Sequence, residues 1–349
     1  MNVQSQIRPE LSASEKKQVQ QPPAMMTAVT QDRYGDAEVL ELSNVKVPQP
    51  ENNQILIEVD AAGVDRGVWH LMTGLPFLVR LIGFGFSRPK QPVPGLDVSG
   101  RVAALGADVQ GFTIGDPVYG IGSGTFARYA IADAGKLAHR PDTLSPDQAA
   151  AASVSGITAL EALRDVGCVQ PGQQVLILGA SGGVGTFAVQ LARYFGAHVT
   201  GVASTSKLDF VRSLGAEDVV DYTRQDALDG RRRYDLILDI GGRNSVARLR
   251  RGMTRTGTLV IVGGEGGDRF TGGMGRQLFA LFISAFVRQR LKMFISSERQ
   301  EDIKFLGEMM ASGAIVSPIE HTYRLDQVPD ALRDLASGQL QGKAVIKIT

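Results

Sequence analysis

One cysteine, Cys168, stands in a chain of 349 residues. A single thiol cannot close an intrachain disulfide or build a multi-cysteine zinc site. Without a disulfide framework, a reducing compartment is the expectation, and cytoplasmic localisation with it. No histidine stands near Cys168 in "RDVGCVQPGQ", so a partly buried, inert thiol is expected rather than a nucleophile. Long apolar runs are also missing. The longest, "LFALFISAFV" at 278–287, is too short to cross a bilayer. Residues 1–24 are polar and glutamine-rich with no apolar segment of the signal-peptide kind, and are expected to form a flexible tail. An excess of one charge is lacking as well. With 37 Lys and Arg against 36 Asp and Glu, the formal net charge is +1, and no global field favours nucleic acid. The basic runs Arg231–Arg233 and "RLRRGMTR" at 248–255 read as a solvated loop and a charged helix face.

What is present is glycine, 41 residues of it, and a 43% hydrophobic composition in a length that suits two domains. From Met26 the chain shows short strands between glycine turns. "ILIEVDAAGV" (55–64), "VSGRVAALG" (98–106) and "FARYAIAD" (126–133) are the clearest, and their close spacing predicts a small, mostly β domain. From about Leu144 the period turns helical, with Ser145 as the N-cap. Strands predicted at 175–178, 199–203, 235–239 and 258–262 then alternate with helices at 184–195, 207–214 and 244–252, followed by a strand at 291–295. That alternation predicts an α/β fold with a doubly wound parallel sheet. Helices at 302–312 and 326–337 and a last strand in "GKAVIKI" complete the chain.

The chemistry starts at "VLILGASGGVGTFAVQLARYFG". A wholly apolar run at 175–178 predicts a central strand buried on both faces. Gly179, Gly182 and Gly185 give G-x-x-G-x-x-G, a turn compact enough for backbone to approach a pyrophosphate at a helix N-terminus. Val184, Phe187, Ala188, Leu191, Ala192 and Phe195 form one apolar helix face, and Gly196 can end it. Gly179, Ser181, Gly182, Gly183, Val184 and Gly185 are therefore candidate phosphate-binding residues. An acid about 20 residues further on would bind ribose hydroxyls and mark NADH. The second strand instead runs into Ala203, Ser204, Thr205, Ser206 and Lys207, and Asp209 is placed in the next helix. Hydroxyls and a lysine suit a 2′-phosphate, so NADPH is the expected cofactor.

These segments, with "AAGVDRGVWHLMTG" (61–74), "PGLDVSG" (94–100), "GDPVYG" (115–120), "VSGITALEAL" (154–163), "DYTRQD" (221–226) and "GKAVI" (342–346), give a clear resemblance. From about residue 26 the chain resembles the medium-chain dehydrogenase/reductase superfamily, in its zinc-independent quinone oxidoreductase group. The resemblance implies a GroES-like catalytic domain at 25–152 and 298–349 and a Rossmann NADPH-binding domain at 153–297, with the active site between them. It also implies that Lys207 and Tyr222 contact the 2′-phosphate, adds Lys343 of "GKAVI" to the cofactor residues, and makes a homodimer paired through the Rossmann sheet edge the expected assembly.

Zinc can be tested on the letters. Where zinc-dependent members of the superfamily carry a cysteine and then a histidine, this chain has Asp65 and Leu96. A zinc site needs convergent N, S or O donors, and Leu96 has none, so no metal is expected. Without a strong Lewis acid, electrophilic acceptors are favoured: quinones and α,β-unsaturated carbonyls. The group's V-N-P segment reads Val64-Asp65-Arg66 here. An ionised Asp65 would oppose a developing enolate, so it is expected to be protonated, paired with Arg66 or Lys343, or turned away. His70 is the candidate for placing the substrate oxygen or relaying a proton, against the plain reading of a histidine without a chemical role. Trp69 is expected to pack. Two apolar stretches, 75–92 and 276–294, are read three ways: a pocket for a lipophilic quinone or enone, a dimer surface, or a weak membrane-surface contact. A non-catalytic NADPH-binding protein and an enoyl-thioester reductase are the rival functions.

Overall fold

The computed structural model describes residues 22–264 and 269–348, so most of the expected N-terminal tail lies outside the described residues. A six-stranded sheet is wholly parallel. Its spatial order is Asp218–Asp221, His198–Ala203, Gln174–Leu178, Tyr234–Asp239, Met253–Ile261 and Arg290–Met293. The earliest of these strands in the chain, Gln174–Leu178, lies inside the sheet, and later strands are added outwards on both sides. The order therefore reverses between Gln174–Leu178 and Tyr234–Asp239, the switch point at which such sheets open a crevice at their carboxyl ends.

The second sheet runs Ile319–Arg324, Lys343–Lys347, Gln54–Val64, Asp97–Leu105, Pro117–Ile121 and Leu137–His139, with Tyr129–Asp133 also paired to Gln54–Val64. The last strand of the chain is thus laid beside the long early strand Gln54–Val64, with Ala344 opposite Val64. This mostly β sheet is closed by both ends of the chain, and the fold is α/β as expected.

Burial follows the predicted patterns. Val175–Leu178 is buried along its whole length, as a central strand requires. Helix Gly183–Tyr194 buries Phe187, Ala188, Leu191 and Ala192 against the same cluster as Leu160 of helix Ser153–Glu161. Burying Phe187 alone is worth roughly 1.5–3 kcal/mol. That helix also buries Gln190, which clamps the backbone of Val316: its Oε1 accepts from the amide at 2.8 Å and its Nε2 donates to the carbonyl at 3.0 Å. Helix Gln300–Ala311 sends Ile303, Leu306, Met309 and Met310 into this cluster too, so it packs where the two sheets approach each other.

Some expectations change. The helical stretch after Leu144 is two helices, Pro146–Ala150 and Ser153–Glu161, the first held by a capping box between Ser145 and Gln148. Cys168 is exposed, with φ +50 in the turn after residues 162–166, and this corrects the expected partial burial. Two strands had no sequence signal. Asp218–Asp221 has only four residues, and Ile319–Arg324 is a sheet-edge strand with largely exposed side chains, so neither shows alternation. Within 276–294 the chain forms helix Met274–Ser284 and strand Arg290–Met293. The run Arg231–Arg233 is paired: Arg231 with Asp229, Arg232 with Asp218, and Arg233 with the Arg251 carbonyl.

Asp239 ends a central strand and is completely buried, with its carboxyl pushed up by that burial and pulled back by Arg276. Arg276, from helix Met274–Ser284, pairs with it and also donates to the carbonyls of Asn244 and Gly263 at 2.8 Å each. One side chain therefore holds the helix to the carboxyl ends of two strands. Replacing it by methionine strands a buried carboxylate. R276M is expected to lower the unfolding free energy by about 3–5 kcal/mol in urea titration, whereas a loss within about 0.5 kcal/mol would show the pair to be incidental.

Candidate active site

The glycine turn is built as the spacing implies. Gly179 has φ +89, a region that suits residues without a Cβ. A Cβ on Gly185 would lie 2.1 Å from the Gly179 carbonyl oxygen, so only glycine lets the strand run directly into the helix. Gly182 sits at the N-cap, and a Cβ there would meet nothing nearer than 3.6 Å, which leaves the turn open on that side. The first turn of helix Gly183–Tyr194 has no intrahelical partners for its amides, so those of Gly183, Val184 and Gly185 form an anion-binding helix end. This donor set fits a pyrophosphate.

The turn is also a junction. The Ser181 carbonyl accepts from Gly342 N at 2.9 Å, and the Lys343 stem passes 3.1 Å from where a Gly183 Cβ would stand. Gly342 has φ +79, and a Cβ on it would lie 2.3 Å from the Pro318 carbonyl oxygen. The end of the chain is thus docked on the glycine turn.

The residues read for the adenosine end are near one another. Tyr222 N donates to the Ala203 carbonyl at 3.2 Å, and the ring is exposed. Ser204 occupies the N-cap of the short turn 205–207 but makes no side-chain capping bond. Lys207 is largely buried, and its Nζ donates to the carbonyls of Gly338 and Leu340 at 2.8 Å each. It therefore also braces the loop ahead of the last strand. Asp221 was not singled out in the sequence. Its strand lies in register beside the end of the second strand, with Asp221 opposite Ala203. Its carboxylate accepts from the Thr205 hydroxyl at 2.5 Å and from the Thr223 amide and hydroxyl at 2.9 and 2.7 Å, bonds that hold it below the usual carboxylate range. Counting along one strand cannot find an acid contributed by its neighbour.

Between the turn and the mostly β sheet lies a buried charged cluster. Asp65 is the N-cap of helix Arg66–Thr73. Its Oδ1 accepts from Val68 N at 3.1 Å, while its buried Oδ2 has no hydrogen-bond partner. Burial pushes this carboxyl up, opposed by Lys343, the helix amides and His70. Lys343 does not ion-pair with Asp65. Its Nζ donates to Asp97 Oδ2 at 3.1 Å and to the Ser155 hydroxyl at 3.2 Å. Asp97, adjacent to the donorless Leu96, accepts from Val154 N at 2.7 Å; burial pushes its carboxyl up to about 6 against the pull of Lys343, with Asp65 adding to the rise. Nothing in the letters around Leu96 marks Asp97, because its partners Lys343 and Val154 lie far along the chain. Arg66 lies over Trp69 at 5.5 Å, in keeping with a packing role for that ring.

His70 directs Nδ1 to the Leu75 carbonyl at 2.8 Å and meets the Trp69 ring edge-on. It lines a cavity of about 470 Å³ with Gly67, Leu71, Phe84, Leu96 and Ile121. Residues 179–185 are not in its wall. The apolar loop after His70 is tied across to the other sheet's side: Phe77 N donates to the Arg269 carbonyl, Leu78 N to the Phe270 carbonyl, and the two phenyl rings lie 5.4 Å apart. Among the described residues, the acids that converge as metal ligands would are Glu161, Asp165 and Asp302, away from this cluster and engaged by Arg164, Arg299 and Ser297.

The chain is similar to known proteins over most of its length. Residues 51–142 match the model described as an alcohol dehydrogenase GroES-like domain, and residues 214–346 the model described as a zinc-binding dehydrogenase. A mitochondrial NAD(P)H oxidoreductase RTN4IP1 of Bos taurus is 32% identical over 93% of this chain and 89% of its own. The chain belongs to the medium-chain dehydrogenase/reductase superfamily, in its quinone oxidoreductase group. A 2-methylene-furan-3-one reductase of Solanum lycopersicum is 32% identical over 93% of this chain and 79% of its own. The Escherichia coli quinone oxidoreductase, solved with NADPH, superposes with a TM-score of 0.79 at 25% identity, covering 92% of this chain and 99% of that one. The chain is thus an oxidoreductase that uses a nicotinamide cofactor, and the reading as a non-catalytic protein is set aside.

The cluster has a stability signature. The folded-state pKa of Asp97 is raised above its unfolded value, so its contribution is fully present below about pH 4 and is lost as pH rises through about 6. K343M is expected to lower the unfolding free energy by about 3–5 kcal/mol at pH 8, where it isolates an ionised Asp97, and by clearly less at pH 5. An equal loss at both pH values, measured in urea, would contradict the pairing.

Proposed function

We propose that this oxidoreductase transfers hydride from NADPH to quinones or α,β-unsaturated carbonyls and does so without zinc. The observation that carries the reading is the cavity beside His70 and Leu96, which the buried Asp65–Asp97–Lys343 cluster links to the glycine turn. The tomato relative's name, a reductase of a methylene ketone, and the quinone oxidoreductase title support the acceptor class.

When bound, the cofactor supplies a hydride at its nicotinamide C4. The protein supplies the rest. The helix N-terminus at Gly183–Gly185 holds the pyrophosphate. Ser204 and the exposed Tyr222 favour a 2′-phosphate, Lys207 adds positive charge from beneath while its Nζ holds the Gly338 and Leu340 carbonyls, and Asp221 is bonded to Thr205 and Thr223 rather than offered to ribose hydroxyls. Leu71, Phe84, Leu96 and Ile121 give one side of the cavity an apolar surface for a conjugated acceptor, and Gln54, Asp133, Lys136 and Glu298 line it as well. Leu96 cannot ligate a metal, so charge developing on the acceptor oxygen must be met by proton donors. His70 is one. With Nδ1–H given to Leu75, a neutral imidazole presents Nε2 as an acceptor, and it donates there only as the imidazolium.

The assembly we favour is a homodimer through strand Arg290–Met293, the sheet end at which apolar Phe282 and Phe286 are exposed, in a cytoplasmic protein. Membrane-surface contact by the same residues is the second reading.

An NADPH-oxidation screen over quinones, short enals and long-chain enones tests the acceptor. NADPH is expected to be used at least about tenfold better than NADH, and K207M or Y222A to narrow the gap; equal rates with the two cofactors would overturn the cofactor assignment. H70A is expected to lower turnover about 10²-fold with the Kd for NADPH unchanged in fluorescence titration. Unchanged turnover would remove His70 from the mechanism.

A further inference from the structure

The residue at position 65 brings a second buried carboxylate to a site that holds one lysine. We propose that Asp65 is kept as a neutral carboxylic acid by the Asp97–Lys343 ion pair, and that the proton on its Oδ2 is the one delivered to the reduced acceptor. The inference rests on the reductase reading only in its second half.

Asp65 and Asp97 are 5% and 0% exposed, and the single ammonium of Lys343 is 1% exposed. With both carboxylates ionised the cluster would carry an uncompensated buried negative charge, which a protein relieves by binding a proton. The hydrogen bonds decide where that proton sits. Asp97 has an ammonium at 3.1 Å and an amide at 2.7 Å, one on each oxygen, so it is the better-stabilised anion. Asp65 has the Val68 amide on Oδ1 and a contribution from the Gly67 amide, but no cation in contact and nothing on Oδ2. The charge therefore belongs on Asp97 and the proton on Asp65 Oδ2. Burial raises the Asp65 carboxyl in the same direction.

The charged and titratable groups around Asp65 come from three elements: Lys343 from the last strand, Asp97 from strand Asp97–Leu105, and His70 from its own helix, on which Arg66 lies over Trp69. An unbonded acidic hydrogen inside a protein is an unusual thing to retain. It has a use here. Gly67 forms part of the cavity wall, and a Cβ on it would lie 2.8 Å from Asp65 Oδ1 and 3.4 Å from Leu96. The missing side chain leaves Oδ1 just behind that wall, and Oδ2 shares its carboxyl carbon, while Asp65 itself is not part of the lining. Hydride adds to the β-carbon of an enone as the carbonyl π-system takes up the electron pair. The Oδ2–H bond then breaks, the proton joins the enolate, and Asp65 is left as a carboxylate that solvent reprotonates. One NADPH and one proton give NADP⁺ and the saturated ketone.

The test separates the proton's location from its use. In infrared difference spectra of wild-type protein minus D65N at pH 7, a protonated-carboxyl carbonyl band that shifts in D₂O is expected; absence of the band, or its loss in D97N with retention in D65N, would overturn the assignment. Failure of enones as substrates would leave that spectrum unchanged. With a reducible enone, wild-type turnover is expected to fall as pH rises through the apparent pKa of the cluster, and D65N to abolish this limb. D97N is informative because it makes no contact with the substrate in this account. Removing the anion lets Lys343 ionise Asp65, so the limb moves down by at least one pH unit and turnover at pH 8 falls at least tenfold. A limb left in place in D97N, or retained in D65N, would show that Asp65 is not the donor.

Discussion

The ion pair between Lys343 and Asp97 is the contact on which the site depends. Lys343 opens the last strand, Asp97 opens a strand of the mostly β sheet, and the lysine stem lies against Gly183 of the phosphate-binding turn. Ser155, whose hydroxyl is the second partner, belongs to a helix that packs on the nucleotide-binding side. One buried bond therefore aligns four segments that are distant in sequence. Desolvation makes such a pair costly, and a better-packed apolar core would hold the fold at least as well. Its retention makes sense if the charge has work to do beside the glycine turn and the cavity proposed as the site.

The second constraint is absence of side chains. At Gly185 any Cβ would strike the Gly179 carbonyl, and at Gly183 it would crowd Lys343. These glycines serve the fold before any cofactor binds. The same turn then presents helix amides to a pyrophosphate at no further conformational cost. Gly67 plays the corresponding role at the other end of the site, leaving Asp65 close to the cavity.

Much of this was legible in the letters, for local reasons. The turn at 179–185, its amphipathic helix and the absence of a free acid after Val202 are matters of spacing within a few dozen residues. Leu96 as a non-ligand needed only chemical knowledge of a side chain. What stayed hidden depends on register or on distant parts of the chain. Asp221 reaches the second strand through parallel pairing, Asp97 meets Lys343 across the whole chain, and the last two carbonyls bound by Lys207 come from residues 338 and 340. Of the alternatives open for Asp65 (protonated, paired with Arg66 or Lys343, or turned away), pairing with Lys343 had the right neighbourhood and the wrong carboxylate, because two acids compete for one cation and Asp97 holds it.

The central claim is that this cleft moves a hydride from NADPH to carbon or oxygen of an activated acceptor. The most direct measurement uses NADPH deuterated at the transferable C4 position with an α,β-unsaturated ketone, and locates the label by NMR. One deuterium on the β-carbon of the saturated ketone is the predicted result. A reduced product without label, or NADPH consumption without reduced product, would contradict the account.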